Sequence, residues 1–450
     1  MINGKELEVV LNTRKEVLAI NSGESLDVLL RLRAPVQELG EARTPLAVSL
    51  VIDRSSSMDG GKLDEAKRCA LDLLSRLHDD DWVSVVVYDD LVEVLLETMS
   101  VRIAKTLLPI RLDEVYPNGM TNLHGGWLKG AETLAPRAGR GTVSRVILLS
   151  DGQANKGLLS KVAIYDQVRE LASAGVTTST VGIGFDFNEE LMTGIATAGQ
   201  GNSWYGQRAE DLAESFDAEL GFLTNLVWQD VRIQLVTPLL PRMGQRIEQI
   251  RVRNDYVQNT VGQYCLPAIA QGSEVWMAIS LSMSEVIHLQ DNGSVLRCTI
   301  LAKDKEGIEH EFSVSLPALK VVSLADYQLA QEDELVSRRF NEVEAADIQR
   351  EARLYVRDRN WSAVTRLMGK LEERSRENPW LAETVSYLSK LLERRDHEAM
   401  EKELMYSSDK LKNRVASLDD SVVFSMEFEN IKPAYMRKKV TQGRNSDSQK

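Results

Sequence analysis

Ile52-Asp53-Arg54-Ser55-Ser56-Ser57-Met58 is the stretch from which the rest of the chain can be read. It follows a nearly unbroken apolar run, 46–52, of the kind that forms a buried strand. A helical pattern begins near Gly61. Asp53, Ser55 and Ser57 therefore fall at the carboxyl end of a strand, where open α/β sheets place their ligands. Spaced at alternate positions, they offer one carboxylate and two hydroxyls. Such hard oxygens select Mg²⁺, Ca²⁺ or Mn²⁺ over softer metals. The same residues could instead form a turn that caps the following helix.

Two further segments favour the metal reading. Gly119-Met120-Thr121-Asn122 lies in a loop before another helical pattern, so Thr121 can lend a third hydroxyl. Val146-Ile147-Leu148-Leu149-Ser150-Asp151 is a second apolar strand ending in a carboxylate. Two carboxylates and three neutral hydroxyls do not crowd an ion with charge. A cation so held stays electrophilic, and an acidic side chain from a partner can complete its octahedral shell.

In order and context, Asp53, Ser55, Ser57, Thr121 and Asp151 resemble the metal-ion-dependent adhesion site of von Willebrand factor type A domains. The resemblance covers roughly residues 45–223. It implies a doubly wound, Rossmann-like α/β domain whose cation, Mg²⁺ or else Mn²⁺ or Ca²⁺, takes its last ligand from a partner's Asp or Glu.

Composition bounds the alternatives. A chain of 450 residues is expected to hold two or three domains. A formal net charge of −13 argues against a dedicated binder of nucleic acid or anionic membrane. Cys69, Cys265 and Cys298 lie far apart without zinc-ligand spacing, and Cys69 reads as a core thiol. The amino terminus lacks a signal-peptide pattern, and no stretch reaches the length of a membrane span. The expected compartment is the cytoplasm.

Three short strand patterns occupy residues 7–34, and residues 1–44 are too few for a stable sheet alone. Strand and helix patterns alternate over 45–224, with a hairpin at Asp89-Asp90 that makes an antiparallel edge strand. Residues 225–320 lose the helical period and read as antiparallel strands, with a turn at Asp291-Asn292-Gly293. This arrangement resembles the β-sandwich beside the type A domain in bacterial intracellular members and inter-α-trypsin-inhibitor heavy chains. The resemblance implies a type A domain inserted into the sandwich, so strands from 7–32 should pair with the later segment. Linkers near Arg43 and Leu226 would then form a hinge.

Residues 321–416 are helical and highly charged. One long helix over 327–357 is expected, then helices over 361–374, from Asn378-Pro379, and over 397–415. Their many Glu and Arg residues read as a solvated face. Residues 417–450 lose periodicity and read as a disordered tail carrying Arg437-Lys438-Lys439.

Signals for catalysis are weak. The five histidines are scattered, and only His124, three residues after Thr121, could approach the cation. GxSxG, P-loop and HExxH patterns are absent. Gly182-Ile183-Gly184 with Asp186 and Glu189 lacks the third glycine of a phosphate loop. A magnesium-dependent phosphotransfer enzyme is the strongest enzymatic alternative, but it needs a second Asp where Ser55 stands. The chain reads as a non-enzymatic adaptor or scaffold in a multi-protein complex. The resemblance suggests MoxR-type AAA+ ATPases or kinase and phosphatase modules as company. A purely stabilising ion is the other alternative.

Overall fold

A computed structural model describes residues 7–19, 25–35, 44–138, 141–183, 187–206, 209–237, 247–283, 294–317, 319–376, 378–413 and 416–417. The turn expected at 291–293, the linker at Arg43, Gly184, Asp186 and the tail after 417 lie outside these residues. The chain begins with β1 (Glu8–Thr13), β2 (Val17–Ala19) and β3 (Ser25–Arg33). β1 and β3 pair antiparallel.

The next elements alternate. They are β4 (Leu46–Asp53), α1 (Lys62–Arg76), β5 (Trp82–Tyr88), β6 (Val92–Ser100), α2 (Val101–Asp113) and α3 (Leu123–Leu134). β7 (Val143–Ser150), α4 (Lys161–Ser173), β8 (Val176–Ile183), α5 (Glu189–Ala198), β9 (Gln200–Gly206) and α6 (Ala209–Thr224) follow. The sheet order is β6-β5-β4-β7-β8-β9. β6 alone runs antiparallel, at the edge, as the Asp89-Asp90 hairpin predicts. Every residue of β4 and β7 is buried, the signature of central strands covered on both faces. On α1, Leu63, Ala66, Cys69, Ala70, Leu73 and Leu74 are buried, so the apolar stripe faces inward and Cys69 is a core thiol. From β4 the chain proceeds to β5 on one side and later returns to β7 on the other. The strand order therefore reverses between β4 and β7, and their carboxyl ends flank the switch point.

A β segment follows, comprising β10 (Leu226–Val236), β11 (Ile247–Val252), β12 (Tyr264–Leu266), β13 (Ile269–Ala270) and β14 (Ser273–Met283). It continues with β15 (Leu296–Lys303), β16 (Glu309–Leu316) and β17 (Lys320–Val322). One sheet has the order β1-β3-β14-β11 and another β12-β10-β15-β16. β3 and β14 pair along nine residues, from Ser25↔Ser282 to Arg33↔Glu274. The amino-terminal strands thus join the later β segment, and the α/β elements lie between them in the chain. β2 and β17 form a separate parallel pair.

The helical region holds α7 (Leu324–Leu329), α8 (Glu334–Arg357), α9 (Trp361–Ser375), α10 (Pro379–Arg394) and α11 (His397–Asn413). The single helix expected over 327–357 is two, because Asp333 caps α8 by accepting the Val336 N–H at 2.9 Å. Asn360 and Asn378 cap α9 and α10 in the same way. Val356, Val364, Leu367, Leu371, Leu388 and Leu404 share one core. Val336, Phe340 and Val343 of α8 pack on Leu29, Trp276 and Ala278 of the β3–β14 sheet. Two charges of α8 are not solvated: Arg339 and Glu342 are each 1% exposed. Arg339 pairs with Glu342 at 3.1 Å and with Glu274 at 3.3 Å, and Arg31 reaches the same Glu274 at 2.7 Å. Leu354 of α8 is 59% exposed.

Two compact units result. One contains β4 through α6; the other contains β1–β3, β11–β15 and α7–α11.

Candidate metal centre

The register Ile52↔Leu149 sets the end of β4 beside the end of β7. Ser150 donates from Oγ to Asp53 Oδ2 at 2.6 Å, and the Tyr88 hydroxyl donates to the same oxygen at 3.2 Å. Asp53 Oδ1 accepts the Ser55 N–H at 2.9 Å, closing the turn. Both oxygens of Asp53 are therefore engaged. Burial pushes its carboxyl up to about 6, against the hydrogen bonds from Ser150 and Ser55 that hold it down. Burial also raises the Tyr88 phenol well above its ordinary value, so it remains a donor.

Ser55 and Ser57 follow at alternate positions, with their hydroxyl oxygens 3.0 Å apart. The Thr121 loop crosses this turn. Asn118 N–H donates to the Arg54 carbonyl at 2.8 Å, and Ser56 N–H donates to the Gly119 carbonyl at 3.1 Å. Gly119 has φ +64, and an added Cβ would lie 3.1 Å from the Asp90 carboxyl, so the position favours glycine. Thr121 N–H donates to Asn155 Oδ1 at 2.7 Å, while the Thr121 carbonyl accepts from Asn155 and Lys156, each at 3.2 Å. The loop after β7 is thereby stitched to the Thr121 loop. Asp151 opens that loop fully buried, its carbonyl accepting the Asn188 N–H at 2.8 Å. Lys62 Nζ lies 3.3 Å from Asp151 Oδ2.

All five sequence-predicted residues thus lie on three loops tied together at one end of the sheet. They fit a hard divalent ion. Asp53 and Asp151 are both 0% exposed, and the neutral donors beside them are hydroxyls. Buried carboxylates need compensating charge, and the ammonium of Lys62 is one positive charge against two negative. Among the described residues no group of three or more His, Cys, Asp or Glu could hold a metal.

Sequence reasoning passed over Ser150, Tyr88, Lys62 and Asn155. Ser150 was visible as the residue before Asp151, but its bond to Asp53 depends on the β4–β7 register. His124, expected near the cation, has other neighbours. Its Nε2 lies 2.7 Å from Gln167 Oε1, and its ring tilts against Trp127. Glu189 sits in the first turn of α5, whose cap, Asn188, accepts the Leu191 N–H.

Residues 48–218 match the von Willebrand factor type A domain family. An uncharacterized protein of Synechocystis sp. is 28% identical over 176 residues, covering 39% of this chain and 41% of that protein. Human inter-α-trypsin inhibitor heavy chain H3 is 26% identical over 241 residues, covering 52% of this chain and 25% of that protein. The chain thus spans less than half the length of these relatives. A von Willebrand factor type A structure from Catenulispora acidiphila superimposes with a TM-score of 0.66 at 16% identity, covering 92% of this chain and 98% of that one. The ArnB paralog VWA2 from Sulfolobus acidocaldarius does so with a TM-score of 0.60 at 17% identity, covering 90% and 99%. These likenesses are of fold. Residues 48–218 form a von Willebrand factor type A domain, and such domains generally mediate protein–protein interaction, often with a metal. Among the described residues no helix is long and apolar enough to cross a membrane.

Proposed function

We propose that this von Willebrand factor type A domain docks a partner protein through a divalent cation, Mg²⁺ in the first instance, held at a metal-ion-dependent adhesion site. Asp53, Ser55, Ser57, Thr121 and Asp151 would hold it. The observation that carries this reading is the pair of Ser55 and Ser57 hydroxyls, 3.0 Å apart, above an Asp53 whose two oxygens are already engaged. Asp53 shapes the turn, the hydroxyls offer neutral donors, and Asp151 brings charge. When bound, the ion supplies an electrophilic centre that accepts a carboxylate oxygen from the partner.

The surroundings suit a protein surface. Leu91 is 70% exposed, Met120 47% and Tyr116 71%, all large apolar side chains. Met120 N–H donates to Asp90 Oδ1 at 2.9 Å, so the turn bearing Leu91 and the loop bearing Met120 and Thr121 are fastened together. The partner is a protein that presents an Asp or Glu; a MoxR-type AAA+ ATPase or a kinase or phosphatase module fits the resemblance. The role is that of a non-enzymatic adaptor in a cytoplasmic complex. Phosphotransfer is disfavoured because the Ser55 hydroxyl, hydrogen-bonded to Ser57, stands where a second carboxylate is needed.

Affinity capture from the native cell, in Mg²⁺ and in chelator, tests the proposal. Partners should be retained in Mg²⁺ and lost with chelator or in Thr121→Ala. Retention in all three conditions removes the site from docking. An ion that raises the melting temperature without changing capture is structural only.

A further inference from the structure

Lys62 is the first residue of α1 and follows Gly61, which has a left-handed φ of +97. This is a poor place for a positive charge. The helix N-terminus carries partial positive charge and favours acids, and Asp64 and Glu65 occupy the same first turn. Lys62 nevertheless points inward. Its ammonium lies 3.3 Å from Asp151 Oδ2, with side-chain exposures of 20% for Lys62 and 0% for Asp151. The lysine belongs to the segment that carries Ser55 and Ser57; the aspartate belongs to the β7 loop. Their contact joins the two halves of the site.

We propose that Lys62 is the pocket's resident cation. It pairs with Asp151 Oδ2, and a divalent ion that takes Asp151 as a ligand must displace it. The inference rests on the site reading given above. Charge balance supports it. Two buried carboxylates and a divalent ion cancel. The lysine therefore weakens metal affinity, a like-charge coupling between two cations at one carboxylate.

The test uses the full chain and Mg²⁺ alone. Calorimetry should show Lys62→Met binding Mg²⁺ about fivefold or more tighter than wild type, the lower end of ordinary coupling between ligands. Lys62→Arg, which keeps the charge, should stay near wild type. In the wild-type protein, amine acylation read by mass spectrometry should show Lys62 labelling rise when Mg²⁺ is added, a readout independent of how the variants fold. Mg²⁺ binding with unchanged Lys62 labelling, or with Lys62→Met no tighter than wild type, overturns the inference and leaves the site standing. No Mg²⁺ binding to wild type or Lys62→Met overturns the site itself, and Lys62's role with it.

Discussion

Ser150 and Asp53, ninety-seven positions apart in the chain, are joined by a 2.6 Å hydrogen bond across the ends of β7 and β4. Ser150 Oγ also accepts the Gly152 N–H at 2.8 Å, so one hydroxyl fixes the Asp53 carboxylate and the start of the Asp151 loop. Ser150→Ala should lower stability by about 1–3 kcal/mol, the cost of leaving buried polar groups unsatisfied. Urea melts measure it. Mg²⁺ at a hundred times its dissociation constant should return about 2.7 kcal/mol to a protein that still binds it.

Gly126 of α3 lies against Tyr88, and a Cβ there would come within 2.3 Å of the ring. Tyr88 is the phenol that holds Asp53. Gly126→Ala should therefore cost about 1–3 kcal/mol by overpacking and also weaken Mg²⁺ binding. Tyr88→Phe should weaken Mg²⁺ binding with a smaller loss of stability. Equal melts for Gly126→Ala and wild type would contradict the close approach.

Glu274 receives Arg31 at 2.7 Å and Arg339 at 3.3 Å, and is 1% exposed. Glu274→Ala leaves two guanidinium groups buried without it. The expected loss is about 3–5 kcal/mol, the range for breaking a buried pair from one side. Unfolding followed by fluorescence is a suitable probe, since Trp276 sits beneath Arg339 at 5.1 Å.

Acid sensitivity should come in part from Asp347. Burial acts to raise its carboxyl, but Lys412 at 2.6 Å and Arg253 at 2.9 Å outweigh it, and its pKa falls below the ordinary 3.8. A lowered folded-state pKa means the unfolded chain takes up the proton first. The stabilisation is thus present in full above the unfolded value and is lost as pH falls through the folded one. Asp347→Asn should be less stable than wild type at pH 7, and the two should converge as pH drops below 3.8. A difference that persists unchanged in acid would exclude the ion pairs as its source.

The positions of Asp53 and Asp151 were legible in the sequence because strand ends announce themselves. An apolar run stops, and the next residue is an acid or a hydroxyl. The edge hairpin at Asp89 and the inward face of α1 were legible for the same local reasons. What stayed hidden depends on register or distance in the chain. Ser150 reads as an ordinary strand residue until β7 is laid beside β4. Lys62 reads as a helix-start residue until the Asp151 loop is folded over it. Arg339 and Glu342 look like solvated charges, because nothing local says that Glu274 will lie beneath them. The break before α8 was readable from Asp333, but apolar spacing across 327–357 masked it.

The central proposal is that Asp53, Ser55, Ser57, Thr121 and Asp151 hold a divalent ion. Crystals grown with Mn²⁺ and measured for its anomalous signal test that claim most directly. The expected result is one peak at coordination distance, about 2.0–2.6 Å for hard divalent ions, from the Ser55 and Ser57 hydroxyls. It should be bounded by Thr121 and Asp151, with Lys62 drawn away. No peak there, or a peak elsewhere with Lys62 still on Asp151, would contradict it.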